Sequence, residues 1–176
     1  VVAVIDTGVL YRDHERGRRA PDLAGTRFVP GWDFVDGDDT PDDEHGHGTH
    51  VAGTIAQSTH NAIGVAGVAP DAAIMPLRVL NAQGGGRSGD IAAAIRWAAD
   101  HGADVINMSL GGGLPSRAMA NAVTYAHDKG VVVVAAAGNT GRGRVEYPAA
   151  YDHVIAVGAV RGDGQRAYYS SYGDAL

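Results

Sequence analysis

The sequence predicts an α/β fold, a parallel sheet covered on both faces by helices, and three observations carry that expectation. Short runs of almost continuous apolar residues, such as residues 1–6 and 131–137, have the composition of strands buried on both sides. Between them lie segments whose apolar residues fall three and four apart, the spacing of helices that bury one face. The two patterns alternate along the chain, which calls for right-handed crossovers and a parallel sheet.

With 176 residues, 45% of them hydrophobic, the chain is long enough for one domain with its own core. The net charge of -6 and the lack of any Lys/Arg cluster argue against nucleic acid or an anionic membrane as the main partner. There is no cysteine, so neither a disulfide frame nor a thiolate zinc site is available. No apolar run reaches the roughly 20 residues that span a bilayer. The chain opens inside a strand rather than on a signal peptide, so the first residue is expected not to be the one the ribosome made.

In order, residues 1–6 form a strand that ends in Asp6-Thr7-Gly8, with Asp6 at the carboxyl end where open α/β sheets place their chemistry or, equally, capping the next turn. Residues 10–27 are polar and rich in Arg and Asp, a surface excursion. From Gly31 to Glu44 an aromatic and Val alternate with the first carboxylates, and then acids crowd together without compensating bases. That segment is either a solvated acidic loop or a wrapping for calcium, which takes six to eight oxygens.

His45-Gly46-His47-Gly48-Thr49-His50-Val51-Ala52-Gly53 sets three imidazoles among glycines before small apolar residues. It reads as a loop delivering His47 at the first turn of a buried helix. Residues 73–79 are the next strand, and Gly84-Gly85-Gly86 an exposed flexible stretch. Ser88 is an N-cap candidate for a helix whose apolar face is Ile91, Ala94, Ile95 and Ala98 and whose stop is Gly102. Residues 105–110 form a strand running into Gly111. Pro115-Ser116 opens a helix that buries Met119, Ala122, Val123 and Ala126 and stops at Gly130. Residues 131–137 and 154–160 give two more strands, the first ending at Gly138-Asn139.

Asp6-Thr7-Gly8, the block from His47 to Gly53, Asn107-Met108-Ser109-Leu110-Gly111-Gly112 and Ala136-Ala137-Gly138-Asn139 resemble, in order, the blocks of the subtilisin-like serine proteases. Gly64-Val65-Ala66-Gly67-Val68-Ala69-Pro70 and Val154-Ile155-Ala156-Val157-Gly158-Ala159 extend the resemblance over essentially the whole chain. It implies a subtilisin-like three-layer αβα fold with a mainly parallel central sheet, here truncated before the nucleophile helix, so that residues 1–176 make a partial peptidase domain.

The same resemblance implies roles. His47 is the expected general base and acid, Asp6 its orienting carboxylate, and Asn139 an oxyanion donor, a contact worth about 10²–10³ in rate. Ser109, Leu110 and Gly111 on one side, and Gly84, Gly85 and Gly86 on the other, would hold an extended peptide as an added strand. Glu146 falls where the family floors the pocket for the residue before the scissile bond, favouring Lys or Arg. Structural calcium is expected at Asp33, Asp36, Asp38, Thr40 and Asp42, and at a second site of Asp22 and Asn61 with carbonyls near Ile63 and Val65. Protein or peptide substrates, a removed pro-segment acting as inhibitor, secretion and a monomeric state are implied too.

One departure stands out. The family's nucleophilic serine lies in a Gly-Thr-Ser-Met-Ala-type block, and none of Ser58, Ser88, Ser109, Ser116, Ser170 and Ser171 has such neighbours. The chain alone is therefore expected to be inactive. Two alternatives are a binding module that keeps the fold without catalysis, and a zinc metallohydrolase using His45, His47 and His50, whose spacing matches a His-x-His-x-Asp-His site except that Thr49 replaces the aspartate.

Overall fold

The computed structural model describes residues 1–13 and 17–176. Its centre is β1, Val2–Asp6, flanked by β4, Ala73–Arg78, and β5, Val105–Met108. Beyond β5 come β6, Val132–Ala136, and β7, Val154–Val157. The two-residue strands β2, Arg27–Phe28, and β3, Trp32–Asp33, both pair with β4. The sheet order is β2-β4-β1-β5-β6-β7, and every named pairing is parallel.

The apolar runs form strands because both pleat faces are used. Ala3, Ile5, Met75, Leu77, Ile106, Met108, Val133 and Ala135 point to one side and pack with helices α2, Ser88–Asp100, and α3, Arg117–Asp128. Val4 and Ile74 point to the other and meet Ala52 and Ala56 of α1, His47–Ala56. Asp6 follows Val2 and Val4 in this alternation and so faces α1. Burying a side chain such as Ile106, which is fully buried, is worth about 1.5–3 kcal/mol.

The structure corrects several expectations. Coverage of both faces holds over β1 and β4 but not over β6 and β7, where Val132, Ile155 and Val157 remain exposed. Among the described residues α1 packs on β1 and β4, away from β6 and β7. Ser88 is the first helical residue of α2 rather than its cap. Arg87 holds the extended cap conformation, and its carbonyl accepts from Asp90 and Ile91 N–H, each at 3.1 Å. Strands stop up to three residues before their apolar pattern does, and Val79 and Ala137 leave the ladder while still buried. At one such point Val79 and Leu80 N–H both donate to the Asp6 carbonyl.

Ser116 does cap α3, accepting from Met119 N–H at 3.5 Å, and α3 buries Met119, Ala122, Val123 and Ala126. The expected surface excursion of residues 10–27 includes 14–16, which lie outside the described residues. Its described part contains a 3-10 turn, Pro21–Leu23, and the first residue of β2.

Candidate active site

The carboxyl end of β1 and the first turn of α1 bring Asp6 and His47 together from 41 positions apart. His47 Nδ1 lies 2.7 Å from Asp6 Oδ1, which also accepts the Thr7 N–H at 2.7 Å. Asp6 is fully buried, its Oδ2 has no hydrogen-bond partner among the described residues, and the His47 side chain is 41% exposed. With Nδ1 turned to a buried carboxylate, Nε2 is the nitrogen left for chemistry. A carboxylate so placed orients the ring and stabilises positive charge on it.

Gly46 occupies the cap position of α1 with φ of 98°, and it has no side chain to satisfy the helix's first N–H groups. Asp43 does so instead. Its Oδ1 accepts from Thr7 Oγ1 at 2.8 Å, His45 N at 2.9 Å and Gly46 N at 2.8 Å, and its Oδ2 from Thr49 N at 2.9 Å and Thr49 Oγ1 at 2.6 Å. Thr7 Oγ1 in turn accepts the Gly48 N–H at 2.9 Å. Burial pushes the Asp43 pKa up, but the Thr49 hydroxyl and the Gly46, Thr49 and His45 N–H groups outweigh it and hold the carboxyl below its ordinary value. No pattern in the sequence marks the roles of Asp43, Thr7 and Thr49. The one available signal was a carboxylate four residues before His47, hidden among other acids.

His47 opens onto a cleft of about 890 Å³ whose walls include Gly84, Gly85 and Gly86 on one side and Ser109, Leu110 and Gly111 on the other. His45, read from sequence as a loop residue, also lines it, with its ring centroid 6.3 Å from that of His47. Asn139 lies just past β6, exposed, and is not among the cleft-lining residues. Glu146 sits behind the lining. A Cβ on Gly111 would meet its Oε2 at 3.5 Å, and its Oε1 is buried with no hydrogen-bond partner among the described residues.

Five of the six serines have hydroxyls engaged elsewhere. Ser116 caps α3, Ser58 Oγ accepts from Gly25 N–H, and Ser109 Oγ accepts from Asn107 Nδ2. Ser170 Oγ accepts from Ala159 N–H, and Ser171 Oγ lies 3.0 Å from Thr140 Oγ1. Ser88 starts α2. Among the described residues, no hydroxyl is hydrogen-bonded to His47.

The sequence profile described as the subtilase family matches residues 1–176. This chain belongs to the subtilase family. It is 46% identical over 175 residues to thermitase of Thermoactinomyces vulgaris, covering 99% of this chain and 60% of that protein. It is 51% identical over 172 residues to the thermophilic serine proteinase of Bacillus sp. (strain AK1), covering 98% of this chain and 41% of that protein. Among solved structures, sphericase superposes with a TM-score of 0.85 at 41% identity, over 97% of this chain and 58% of that one. The fold is thus subtilisin-like, and this subtilase chain spans about half the length of the relatives it matches.

The two expected cation loops of this subtilase differ in their surroundings. The acids of the first have no compensating base nearby in sequence, but Arg78 supplies one in the fold. This buried residue donates from Nη1 to Asp33 Oδ2 at 2.7 Å and Asp36 Oδ2 at 2.8 Å, and from Nη2 to Glu44 Oε2 at 2.8 Å. Asp33 Oδ1 closes a local turn by accepting Val35 and Asp36 N–H, and Asp38 Oδ1 accepts Thr40 N–H. Asp42 is buried, with Arg12 Nε 3.8 Å from its Oδ1.

At the second loop Asp22 Oδ1 accepts from Asn61 Nδ2 at 2.6 Å, while Asp22 Oδ2 is buried without a hydrogen-bond partner among the described residues. A Cβ on Gly64 would lie 2.3 Å from that oxygen, so glycine keeps the approach open between Ile63 and Val65. An orphaned buried carboxylate oxygen suits a hard cation, while Asn61 Oδ1 accepts Ile63 N–H and the Val65 carbonyl accepts from Gln57 Nε2, bonds that a cation would have to replace. Among the described residues no group of three or more His, Cys, Asp or Glu side chains is placed to hold a metal ion, so the zinc alternative through His45, His47 and His50 finds no site.

Proposed function

We propose that this chain carries the Asp6–His47 half of a secreted serine endopeptidase whose nucleophile lies outside the 176 residues. The observation that carries the reading is the 2.7 Å contact between His47 Nδ1 and buried Asp6 Oδ1 beside a peptide-sized cleft. His47 Nε2 would take the proton of an attacking hydroxyl and return it to the leaving amine, a role worth about 10²–10⁴ in rate. Asn139 would turn its amide toward the oxyanion, and the two backbone walls would hold protein or peptide substrates in extended form. Glu146, with an unpartnered buried oxygen, would draw Lys or Arg to the position before the scissile bond.

Calcium, in this reading, is structural and bound by Asp22, Asn61 and the carbonyls of Ile63 and Val65. It would neutralise the unpartnered Asp22 oxygen and take no part in the reaction. A pro-segment removed on maturation and a monomeric peptidase complete the proposal. Casein hydrolysis by the full-length gene product, abolished in His47→Ala and reduced about 10⁴-fold in kcat in Asp6→Asn, would support it. Undiminished hydrolysis by His47→Ala would overturn it.

A further inference from the structure

We propose that Asp43 is a positioning residue that locks His47 onto Asp6, acting through Thr7 and the first turn of α1. The proposal rests on the reading of Asp6 and His47 as a working pair. Three separate pieces of backbone converge on this one carboxylate, which is 3% exposed. They are the end of β1 through Thr7 Oγ1, the loop before the helix through the N–H groups of His45 and Gly46, and the helix itself through Thr49 N and Oγ1.

The network closes into a ring. Gly48 N–H donates to Thr7 Oγ1, which donates to Asp43, and Asp43 also accepts from Gly46 N–H and Thr49 N–H on either side of His47 and Gly48. The Asp6–His47 contact runs beside the Gly48–Thr7 bond, one residue back on each segment. Thr49 Oγ1 adds a fourth tie by accepting Leu10 N–H at 3.0 Å. A negative group at a helix N-terminus is also favoured by the helix dipole. The arrangement therefore does more than cap α1. It fixes how far and at what angle the helix start stands from the strand end, and those two quantities set the His47–Asp6 hydrogen bond.

Proton NMR of the chain reads this directly, because the proton between His47 Nδ1 and Asp6 Oδ1 resonates far downfield and exchanges slowly while the pair is held. Asp43→Ala, and Thr7→Val, which leaves the Asp43 charge in place, are each expected to speed its exchange with water by about tenfold or more, the effect of one lost charge-assisted hydrogen bond on local opening. Amide protection in α2 and α3, measured in the same samples, reports that the fold persists. Thr7→Val keeps the idea testable if Asp43→Ala does not fold. Asp6→Asn identifies the resonance by abolishing it. A wild-type spectrum without the resonance overturns the pair and the proposal together. A resonance present in the wild type and exchanging at the same rate in folded variants overturns the positioning role alone. In the full-length product the variants should lower kcat with KM unchanged, and a change confined to KM contradicts the proposal.

Discussion

Replacing Gly48 by alanine tests how tightly the strand end and the helix start are joined. A Cβ at Gly48 would lie 2.1 Å from the Gly8 carbonyl oxygen and 3.2 Å from Asp6 Cβ and Oδ1, where side-chain carbons essentially never come closer than 3.0 Å. The helix start must then retreat by about 1 Å, because Gly8 cannot yield. A Cβ on Gly8 itself would stand 2.6 Å from the Asp42 carbonyl and 2.7 Å from that of Pro41, so its backbone is packed from the far side as well. Alanine gains up to about 1 kcal/mol in helix propensity, but overpacking against fixed backbone costs about 1–3 kcal/mol and displaces the His47–Asp6 bond besides. A net loss of about 2 kcal/mol, or about 4–8 °C in Tm, is expected by calorimetry or urea unfolding. Gly89, which has nothing within 4 Å and lies in α2, is the control, and alanine there should stabilise by about 0.4–1 kcal/mol. A Gly48→Ala chain within about 0.5 kcal/mol of wild type, the range of an ordinary surface change, would refute the reasoning.

The remaining expectations concern charge. Asp43 titrates below its unfolded value of about 3.9, so its contribution to stability is complete above that pH and is lost as pH falls through the folded value. Urea midpoints should thus drop more between pH 5 and pH 3 in wild type than in Asp43→Asn, and parallel slopes would contradict this. Calcium should raise the unfolding midpoint of wild type and of Asp36→Ala but not of Asp22→Ala, by about 2.7 kcal/mol at a hundredfold excess over Kd. A calcium response that Asp22→Ala retains removes that site. In the full-length product, Glu146→Gln should lose any preference for Lys or Arg before the cleaved bond, and a library profile the same in both enzymes would show that Glu146 stays behind the cleft wall.

Asp6 and the Ser109–Gly111 wall were legible in the sequence because each is a polar or glycine break at the end of an apolar strand, and a parallel sheet puts such ends on one edge. His47 was legible because glycines flank it before a small-residue helix. Arg78 was not, since it closes an apolar strand and its partners Asp33, Asp36 and Glu44 lie 34 to 45 positions away. Asp43 was hidden for a related reason. Nothing in an acidic run distinguishes the carboxylate that turns inward to five donors from neighbours that face water or a guanidinium. The strands β2 and β3 are too short for any periodicity to show.

The central claim, an Asp6–His47 pair awaiting a nucleophile from outside residues 1–176, is tested most directly by a serine-directed fluorophosphonate followed by peptide mapping. The full-length product is expected to be labelled once, at a serine beyond the six present here, and the label should disappear in His47→Ala. The 1–176 chain is expected to remain unlabelled. Stoichiometric labelling of Ser58, Ser88, Ser109, Ser116, Ser170 or Ser171 would contradict the account.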